Sequence, residues 1–333
     1  QQKDFLSQEL KIDIRLCGLA NSRTMLFNSN GIDMTASKEK LEEHGVPMSM
    51  DAFYAEMVEM NMRNSIFIDC TATYDIPAYY QSILRQSISI VTPNKVACSS
   101  NFDHYLDLKK TATKYRARFL FETNVGAGLP VISTASDLLK SGDKVSRIEA
   151  VLSGTLNFLF NHYDATVPFQ EVVKRAKDEG YTEPDPKIDL SGIDVQRKIL
   201  ILARESGHKL ELDEILNRSF LPDDCLVAQT VEELYKRLLE HEGYFQQLFK
   251  EANQQGKKLK FVASFDKESG HAEIGLQAYS AEHPFYSLKG KDNVVLFYTK
   301  RYHDYPLIVQ GAGAGSAVTA SGIFADILRI ADA

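Results

Sequence analysis

The sequence contains no apolar run that reaches the ~18 residues of a membrane-spanning helix, so we expect no membrane segment. It also has no basic excess: the net charge is −7 at pH 7, which argues against a general affinity for nucleic acid or for anionic membranes. The first residues, QQKDFLSQELKIDIR, are polar and are not typical of a secretory signal peptide. We therefore expect a cytoplasmic protein with neither nucleic acid nor a membrane as a partner.

Cysteine is scarce as well. The sequence contains four cysteines, Cys17, Cys70, Cys98 and Cys225, and none of them belongs to a CxxC pair. This usage is typical of reduced, mostly buried thiols in a cytosolic protein. A catalytic thiol at Cys70 or Cys98 is the alternative, and no basic residue beside either one in the sequence supports it.

A further absence concerns the nucleotide-binding fingerprint. A dinucleotide-binding domain typically opens with a strand, the motif GxGxxG and a helix, and no GxGxxG precedes the first predicted strand. The GAGAG run at 311–315 lacks that spacing and lies near the other end of the chain. The segment ANSRT (20–24) offers no acid for the ribose of NAD, whereas Arg23 could bind a 2′-phosphate. Any dinucleotide preference therefore tilts toward NADP.

The first third of the chain alternates between strand and helix patterns. The length of 333 residues suits roughly two domains, and 44% hydrophobic content allows a sizeable core. The predicted strands cover 11–20, 65–70, 87–93 and 118–124, and the predicted helices between them cover 50–63, 75–86 and 100–116. Such alternation predicts an α/β domain with a parallel sheet, which binds ligands at the carboxyl ends of its strands.

The remainder of the chain has a different order. A strand at 145–153 precedes a helix at 154–163, and helices are predicted at about 169–179 and 192–206. Four later segments predict strands, at 257–266, 271–280, 293–302 and 306–310. This order predicts an α+β domain with a mostly open sheet. The GAGAG run then leads into a last helix, whose N-terminus would favour an anionic group.

The segment EGYTEPDPKIDLSGIDVQRK (179–198) is dense in acids, and a lysine ends it. Asp194 and Lys198 are four residues apart, hence on one face of a helix. Taken alone, they could form a surface ion pair that contributes only about 0.3–0.5 kcal/mol. Since Glu183 and Asp189 lie close in sequence, we favour a site in which carboxylates orient a substrate ammonium group and tune the lysine as an acid or base.

Two other strand exits carry candidate residues. TPNK (92–95) follows a predicted strand, so Lys95 would lie at the carboxyl edge of the sheet, unless it is a solvated turn lysine. ETNVGAGLP (122–130) follows the next strand. Its backbone carbonyls and one carboxylate could coordinate a hard cation such as Na⁺, and the simpler alternative is a glycine-rich turn before a helix.

These segments, with IRLCGLANS, LSGTLNFLF and GAGAGSAVTASGIFADILR, resemble homoserine dehydrogenase. The resemblance is greatest to the C-terminal half of bifunctional aspartokinase/homoserine dehydrogenases, and it covers essentially the whole chain. In one departure, Ile188 of DPKIDL stands where the family usually has an acid, and we expect activity to survive this change. The family's first strand and glycine loop have no counterpart here. We therefore expect an N-terminally truncated fragment of a larger polypeptide, which binds NADP very weakly and shows little or no dehydrogenase activity.

The resemblance implies a function. It is NAD(P)-dependent interconversion of L-homoserine and L-aspartate 4-semialdehyde, in threonine, methionine and isoleucine biosynthesis. It also implies a homodimer or higher homo-oligomer, and a covalently linked aspartokinase domain in the full-length protein. Two alternatives stay open: another two-domain dehydrogenase of amino-acid-like substrates, and a non-catalytic dimerisation or regulatory fragment.

The resemblance also implies roles for individual residues. The catalytic residues would be Lys198, Lys95 and Asp194, and the substrate-binding residues would be Glu183, Asp189 and Asp194. The residues that contact NADP or NAD would be Ala20, Asn21, Thr71, Lys95, Gly180, Glu183 and Gly315. A monovalent cation (Na⁺) would bind at Glu122, Val125, Ala127 and Leu129.

The fold that follows is α/β with two units. A Rossmann-like nucleotide domain, without its first strand and glycine-rich loop, is predicted at 1–125. An α+β catalytic and dimerisation domain follows at 126–310. The segment 311–333 is predicted to form a helix that returns to the nucleotide domain.

Overall fold

The N-terminal part of the fold contains two small sheets. The computed structural model of the protein describes residues 2–332. The strands are β1 (Gly18–Ala20), β2 (Thr24–Phe27), β3 (Val46–Pro47), β4 (Ile66–Ile68), β5 (Ser89–Val91) and β6 (Phe119–Leu120). The helices are α1 (Lys3–Phe5, continued as a π-helix at Leu6–Leu10), α2 (Ser37–His44), α3 (Met50–Met60), α4 (Tyr80–Arg85) and α5 (Phe102–Lys114).

The predicted parallel sheet is confirmed in β4, β5 and β6. These strands lie side by side in that order and pair in parallel, with Ile66 opposite Ser89 and Ile90 opposite Phe119. The prediction of a strand over 11–20 was too long. Only β1 is a strand there, because it pairs with β2 in an antiparallel hairpin, and β1–β2–β3 form a separate sheet.

The larger part of the fold is built on a six-stranded sheet. Its strands are β7 (Val145–Val151), β8 (Ile215–Arg218), β9 (Lys258–Asp266), β10 (Ala272–Tyr279), β11 (Asp292–Thr299) and β12 (Leu307–Ala312). The helices of this part are α6 (Val131–Lys140), α7 (Gly154–His162), α8 (Phe169–Asp178), α9 (Pro186–Leu190), α10 (Ile193–Glu205), α11 (Asp223–Leu226), α12 (Val231–Glu240), α13 (Glu242–Gln254) and α14 (Ser316–Ala331).

The order of strands in this sheet is β12-β11-β7-β9-β10-β8. All neighbours are antiparallel except β10 and β8, which are parallel. The predicted strands near 145, 257, 271, 293 and 306 are therefore confirmed, whereas β8 and the helices α11, α12 and α13 were not predicted. The short helix α9 was also missed. It begins inside the acid-rich loop that follows α8, called the acidic loop below (residues 179–189), and has a proline in its first turn, where proline is tolerated.

Helix α10 is deeply buried over its C-terminal half. Ile199, Leu200, Ile201 and Leu202 are four consecutive residues of this helix with no exposed surface. Apolar side chains therefore surround the C-terminal half of α10, whereas its first turns face a more open region. Removal of apolar surface from water on this scale stabilises a helix far more than helix propensity does.

The C-terminal helix α14 packs closely on the segment after β6. A Cβ atom at Gly322 would lie 2.6 Å from Thr123 Cγ2, and one at Gly128 would lie 2.6 Å from the carbonyl oxygen of Val318. Both glycines are needed for this close approach. The predicted domain limits at 125 and 310 stay a prediction. Among residues 2–332, none of the helices is both long and apolar enough to cross a bilayer.

Candidate active site

The start of helix α10 sets the geometry of the candidate site. Gly192 precedes the helix with a φ of 73°, in the left-handed region that glycine adopts without strain. One turn apart on this helix, Asp194 and Lys198 form an ion pair, with Lys198 Nζ 2.8 Å from Asp194 Oδ2. The sequence spacing had predicted this contact.

Lys198 is held by a second partner. Its Nζ atom donates a hydrogen bond to the carbonyl oxygen of Leu152 at 2.7 Å. Leu152 directly follows strand β7, and the Lys198 side chain is 12% exposed. The ammonium group is therefore fixed between a carboxylate and a backbone carbonyl, with a small part of it open to a ligand.

A second lysine reaches the same carboxylate. Lys95, in the segment after β5, places its Nζ atom 3.4 Å from Asp194 Oδ1. Burial alone would raise the pKa of Asp194, but attraction to Lys198 and then to Lys95 outweighs it, so the pKa lies well below its usual range. The side chain is 49% exposed, so Asp194 is an ionised group that a ligand could still contact. The contact joins the carboxyl edge of the parallel sheet to α10.

The acidic loop contributes two carboxylates in different states. Asp189 is engaged, since it accepts hydrogen bonds from Thr155 Oγ1 at 3.0 Å and from the Glu183 backbone N–H at 2.8 Å. Burial raises the pKa of Asp189 despite these hydrogen bonds. The exposed Glu183 carboxylate forms neither a hydrogen bond nor an ion pair with any described residue. Asp189 therefore shapes the loop, and Glu183 is free for a ligand.

A buried polar network behind the site was missed by the sequence reasoning. The Tyr80 hydroxyl donates to Asp69 Oδ2 at 2.6 Å, and Asn94 Nδ2 donates to the same oxygen at 3.1 Å. Thr92 Oγ1 donates to the carbonyl oxygen of Asp69 at 2.9 Å. Burial, followed by the charge of Asp69, raises the pKa of Tyr80, which stays a donor. The available signal was the position of Asp69 near the end of the predicted strand 65–70 and of Asn94 just after the predicted strand 87–93.

This network fixes the ends of β4 and β5, where two of the candidate cofactor residues lie. Thr71 donates its backbone N–H to Asp69 Oδ1 at 2.8 Å, and Lys95 directly follows Asn94. Carboxyl ends of neighbouring parallel strands are the usual place for a ligand in such a sheet. Thr71 and Lys95 are thus held at one sheet edge.

The remaining candidate cofactor residues lie in turns. Asn21 follows Ala20 at the β1–β2 turn, where its side chain accepts from the backbone N–H of Arg23 at 2.8 Å. Among residues 2–332, Asn21 shares no hydrogen bond or ion pair with Lys95 or Lys198. Gly180 and Gly315 have φ angles of 72° and 119°, and apart from the adjacent residues no atom lies within 4 Å of a Cβ built on either. Both backbones are therefore open to a ligand.

The candidate cation residues fit only in part. The Glu122 carboxylate accepts hydrogen bonds from the backbone N–H of Ile132 at 2.7 Å and from Arg329 Nη1 at 3.0 Å. A carboxylate so occupied is not a ready cation ligand. The carbonyl oxygens of Val125 and Ala127, by contrast, accept no hydrogen bond from the described residues. Backbone carbonyls are ligands that a hard cation accepts, so cation binding in this loop stays a prediction that depends on them.

Comparison with known proteins gives two family matches. The model described as homoserine dehydrogenase matches residues 130–328, and the model described as homoserine dehydrogenase, NAD binding domain, matches residues 2–122. The chain is 42% identical over 330 residues to the chloroplastic bifunctional aspartokinase/homoserine dehydrogenase 1 of Zea mays, a match that covers 99% of this chain and 36% of that protein.

Two further matches cover most of this chain and most of the matched protein. The homoserine dehydrogenase of Schizosaccharomyces pombe is 37% identical over 305 residues, which are 90% of this chain and 81% of that protein. A crystal structure of a Candida auris protein of unknown function has a TM-score of 0.89 at 34% identity, over 99% of this chain and 95% of that chain. The chain spans 36% of the length of the Zea mays and Arabidopsis thaliana bifunctional relatives.

Proposed function

The chain belongs to the homoserine dehydrogenase family, and we propose on that basis that it interconverts L-homoserine and L-aspartate 4-semialdehyde with a nicotinamide dinucleotide. The observation that carries the proposal is the group formed by Lys198, Asp194 and Lys95. An ammonium fixed by a carboxylate and a carbonyl, at the carboxyl edge of a parallel sheet, suits transfer of one proton beside a bound nucleotide.

The nucleotide would bind along the sheet edge. Thr71 and Lys95 would contact it from the ends of β4 and β5, and the open backbones of Gly180 and Gly315 would allow close approach. Arg23, which has no acid beside it at the β1–β2 turn, favours NADP over NAD. When bound, the nicotinamide would supply or accept the hydride.

Lys198 would transfer the proton. Its Nζ atom would give a proton to the aldehyde oxygen as the semialdehyde is reduced, and would take one from the homoserine hydroxyl in the reverse direction. Asp194, ionised because two lysines flank it, would stabilise the charged form of Lys198. Since Asp194 and the Leu152 carbonyl both hold the Nζ atom, the lysine is oriented before the substrate arrives.

Glu183 would bind the substrate's ammonium group. Its carboxylate has no partner among the described residues, whereas Asp189 and Asp194 are both engaged. The two ends of an amino acid would then bind different groups, the ammonium group at the Glu183 carboxylate and the carboxylate at the Lys95 ammonium. The site would therefore prefer an amino acid with a hydroxyl or aldehyde at the end of its side chain.

The proposal is tested by initial rates of NADPH formation. Purified protein is incubated with NADP⁺ and L-homoserine, and parallel reactions contain L-serine or a hydroxy acid without the amino group. The sequence alone predicted a fragment that binds NADP weakly. Because the NAD-binding-domain model matches residues 2–122, we expect instead that NADP⁺ is reduced in a homoserine-dependent reaction, and much more slowly with the other substrates. No reaction with homoserine, or equal rates with all three, would contradict the proposal.

Four finer features are proposed with it. A monovalent cation would bind the backbone carbonyls of loop 122–129, and rates in Na⁺ or K⁺ against a bulky organic cation test this. The protein would form homodimers or larger homo-oligomers, which light scattering tests. A covalently linked aspartokinase domain is supported by the names of the bifunctional relatives, and the mass of the native polypeptide tests it. A cytoplasmic location is supported by four unpaired cysteines, and cell fractionation tests it.

A further inference from the structure

A buried asparagine lies next to the candidate proton-transfer group. Asn293, on strand β11, is 1% exposed. Its Nδ2 atom donates to the carbonyl oxygen of Leu152 at 3.3 Å, and this is the same oxygen that accepts from Lys198 Nζ at 2.7 Å. The amide and the ammonium thus share one acceptor. A shift of either donor therefore changes the hydrogen bond that the other donor makes.

The other half of this amide is unsatisfied. Asn293 Oδ1 has no hydrogen-bond partner among the described residues. An unpaired buried polar atom destabilises a fold, because it loses its hydrogen bonds to water and gains none in return. A hydrophobic residue at this position would avoid that cost, so stability alone does not explain an asparagine here.

The glycine-rich run explains how the amide is held. A Cβ atom at Gly313 would lie 2.0 Å from Asn293 Cγ and 2.2 Å from its Nδ2. Gly313 is not among the glycines with positive φ, so its backbone conformation is open to other residues. The requirement for glycine at 313 is therefore steric, because the backbone of the run packs directly against the Asn293 amide. The same amide binds the Leu152 carbonyl, which also binds Lys198.

We propose that Asn293, clamped by Gly313, is a positioning residue that fixes the Leu152 carbonyl and thereby aims the Nζ atom of Lys198. The inference deepens the proposed function and rests on the role of Lys198 in proton transfer. Two donors together fix the orientation of the carbonyl that accepts from them. This matters for catalysis, because a catalytic group misplaced by about 1 Å can lower the rate roughly 10²-fold. The GAGAG run would then support the proton-transfer group in addition to any contact with the nucleotide.

Two substitutions perturb this contact from opposite sides. Asn293→Thr removes the amide donor but retains a residue that suits a β-strand. Gly313→Ala keeps the amide and displaces it. The matched control is Gly243→Ala in α13, where a Cβ meets no atom within 4 Å. Melting curves identify any variant that does not fold, and either substitution is sufficient for the test if the other variant is unfolded.

The first readout does not depend on activity. In protein labelled with ¹³C at lysine Cε, the Lys198 resonance is assigned by its loss in Lys198→Arg. We expect this resonance to move in Asn293→Thr and in Gly313→Ala and to stay unchanged in Gly243→Ala. A resonance that is unchanged in a folded Asn293→Thr or Gly313→Ala variant would overturn the inference, even if the wild-type protein proved to oxidise a different substrate.

The second readout is kinetic. With homoserine and NADP⁺, each of the two substitutions should lower kcat by about 5- to 100-fold, while both KM values change by less than about twofold. The double variant should lose little more than either single one, because the two residues act through one contact. Unchanged kcat, or losses confined to KM, would overturn the positioning role, whereas an inactive wild type would refute the proposed function separately.

Discussion

Lys260 is a fully buried lysine that forms no ion pair with a carboxylate among residues 2–332. It lies on β9 with no exposed surface, and its Nζ atom donates to Asn157 Oδ1 at 3.0 Å, Asn161 Oδ1 at 2.7 Å and the Leu288 carbonyl oxygen at 2.7 Å. Burial, and to a smaller extent the charge of Lys258, lowers the pKa of Lys260 to about 8. The three acceptors satisfy its hydrogens, but none of them neutralises its charge.

The lowered pKa predicts a pH-dependent stability. In the unfolded chain the lysine keeps its proton up to about 10.5, whereas in the native protein it gives up the proton above about 8. Between these values the unfolded state binds more protons, so the free energy of unfolding rises with pH. The difference is about 2.5 pH units at 1.36 kcal/mol each, or about 3 kcal/mol. Below pH 8 the charged lysine costs this full amount.

Lys260→Met tests this reasoning, because methionine retains much of the length and removes the charge. The free energy of unfolding, from urea denaturation, is measured for both proteins at pH 7 and pH 10. Wild type should gain about 2.5 kcal/mol relative to the variant over this interval. Lys250→Met, at an exposed position of α13, is the control and should show no such gain. A difference between wild type and Lys260→Met that stays constant within about 0.5 kcal/mol would refute the reasoning.

Three further predictions concern the site and its support. Glu183→Gln keeps the shape of the side chain and removes the charge, so KM for homoserine should rise more than KM for NADP; equal effects on both would indicate a disturbed loop. Gly322→Ala should lower the free energy of unfolding by about 1–3 kcal/mol, because a methyl group there would clash with the segment after β6; a melting temperature equal to wild type would contradict the close packing of α14. Tyr80→Phe should cost about 1–3 kcal/mol, because it leaves the buried Asp69 without one of its donors; urea denaturation measures the loss, and an unchanged midpoint would show that Asp69 is satisfied without it.

The local part of the site was open to prediction from the sequence. Asp194 and Lys198 meet because a helix brings residues four apart to one face, and an amphipathic pattern after a proline-rich loop is enough to predict that helix. The parallel strands β4, β5 and β6 were predicted for the same reason, since each is a short apolar run between helical patterns. In these cases the structure depends on contacts within about one turn or one strand.

The parts that were missed depend on long-range contacts. The Glu122 carboxylate binds Arg329, which lies 207 residues later in the chain, and the local sequence does not indicate this contact. Asn293 lies within a strand, where nothing in the alternation of side chains distinguishes it from an ordinary polar position. Strand β1 covers only the last three residues of the predicted 11–20 strand, and its partner is β2 rather than the parallel sheet. None of these pairings has a periodic signal in the sequence.

The most direct test of the account is the turnover of Lys198→Ala with homoserine and NADP⁺, measured beside wild type and the exposed-site control Lys250→Ala. If the Nζ atom of Lys198 transfers the proton, kcat should fall by roughly 10²–10⁴-fold, while the dissociation constant for NADPH stays close to that of wild type and the control keeps full activity. A Lys198→Ala protein that retains more than about a third of the wild-type turnover would contradict the assignment, and the contact with Asp194 would then be a structural ion pair.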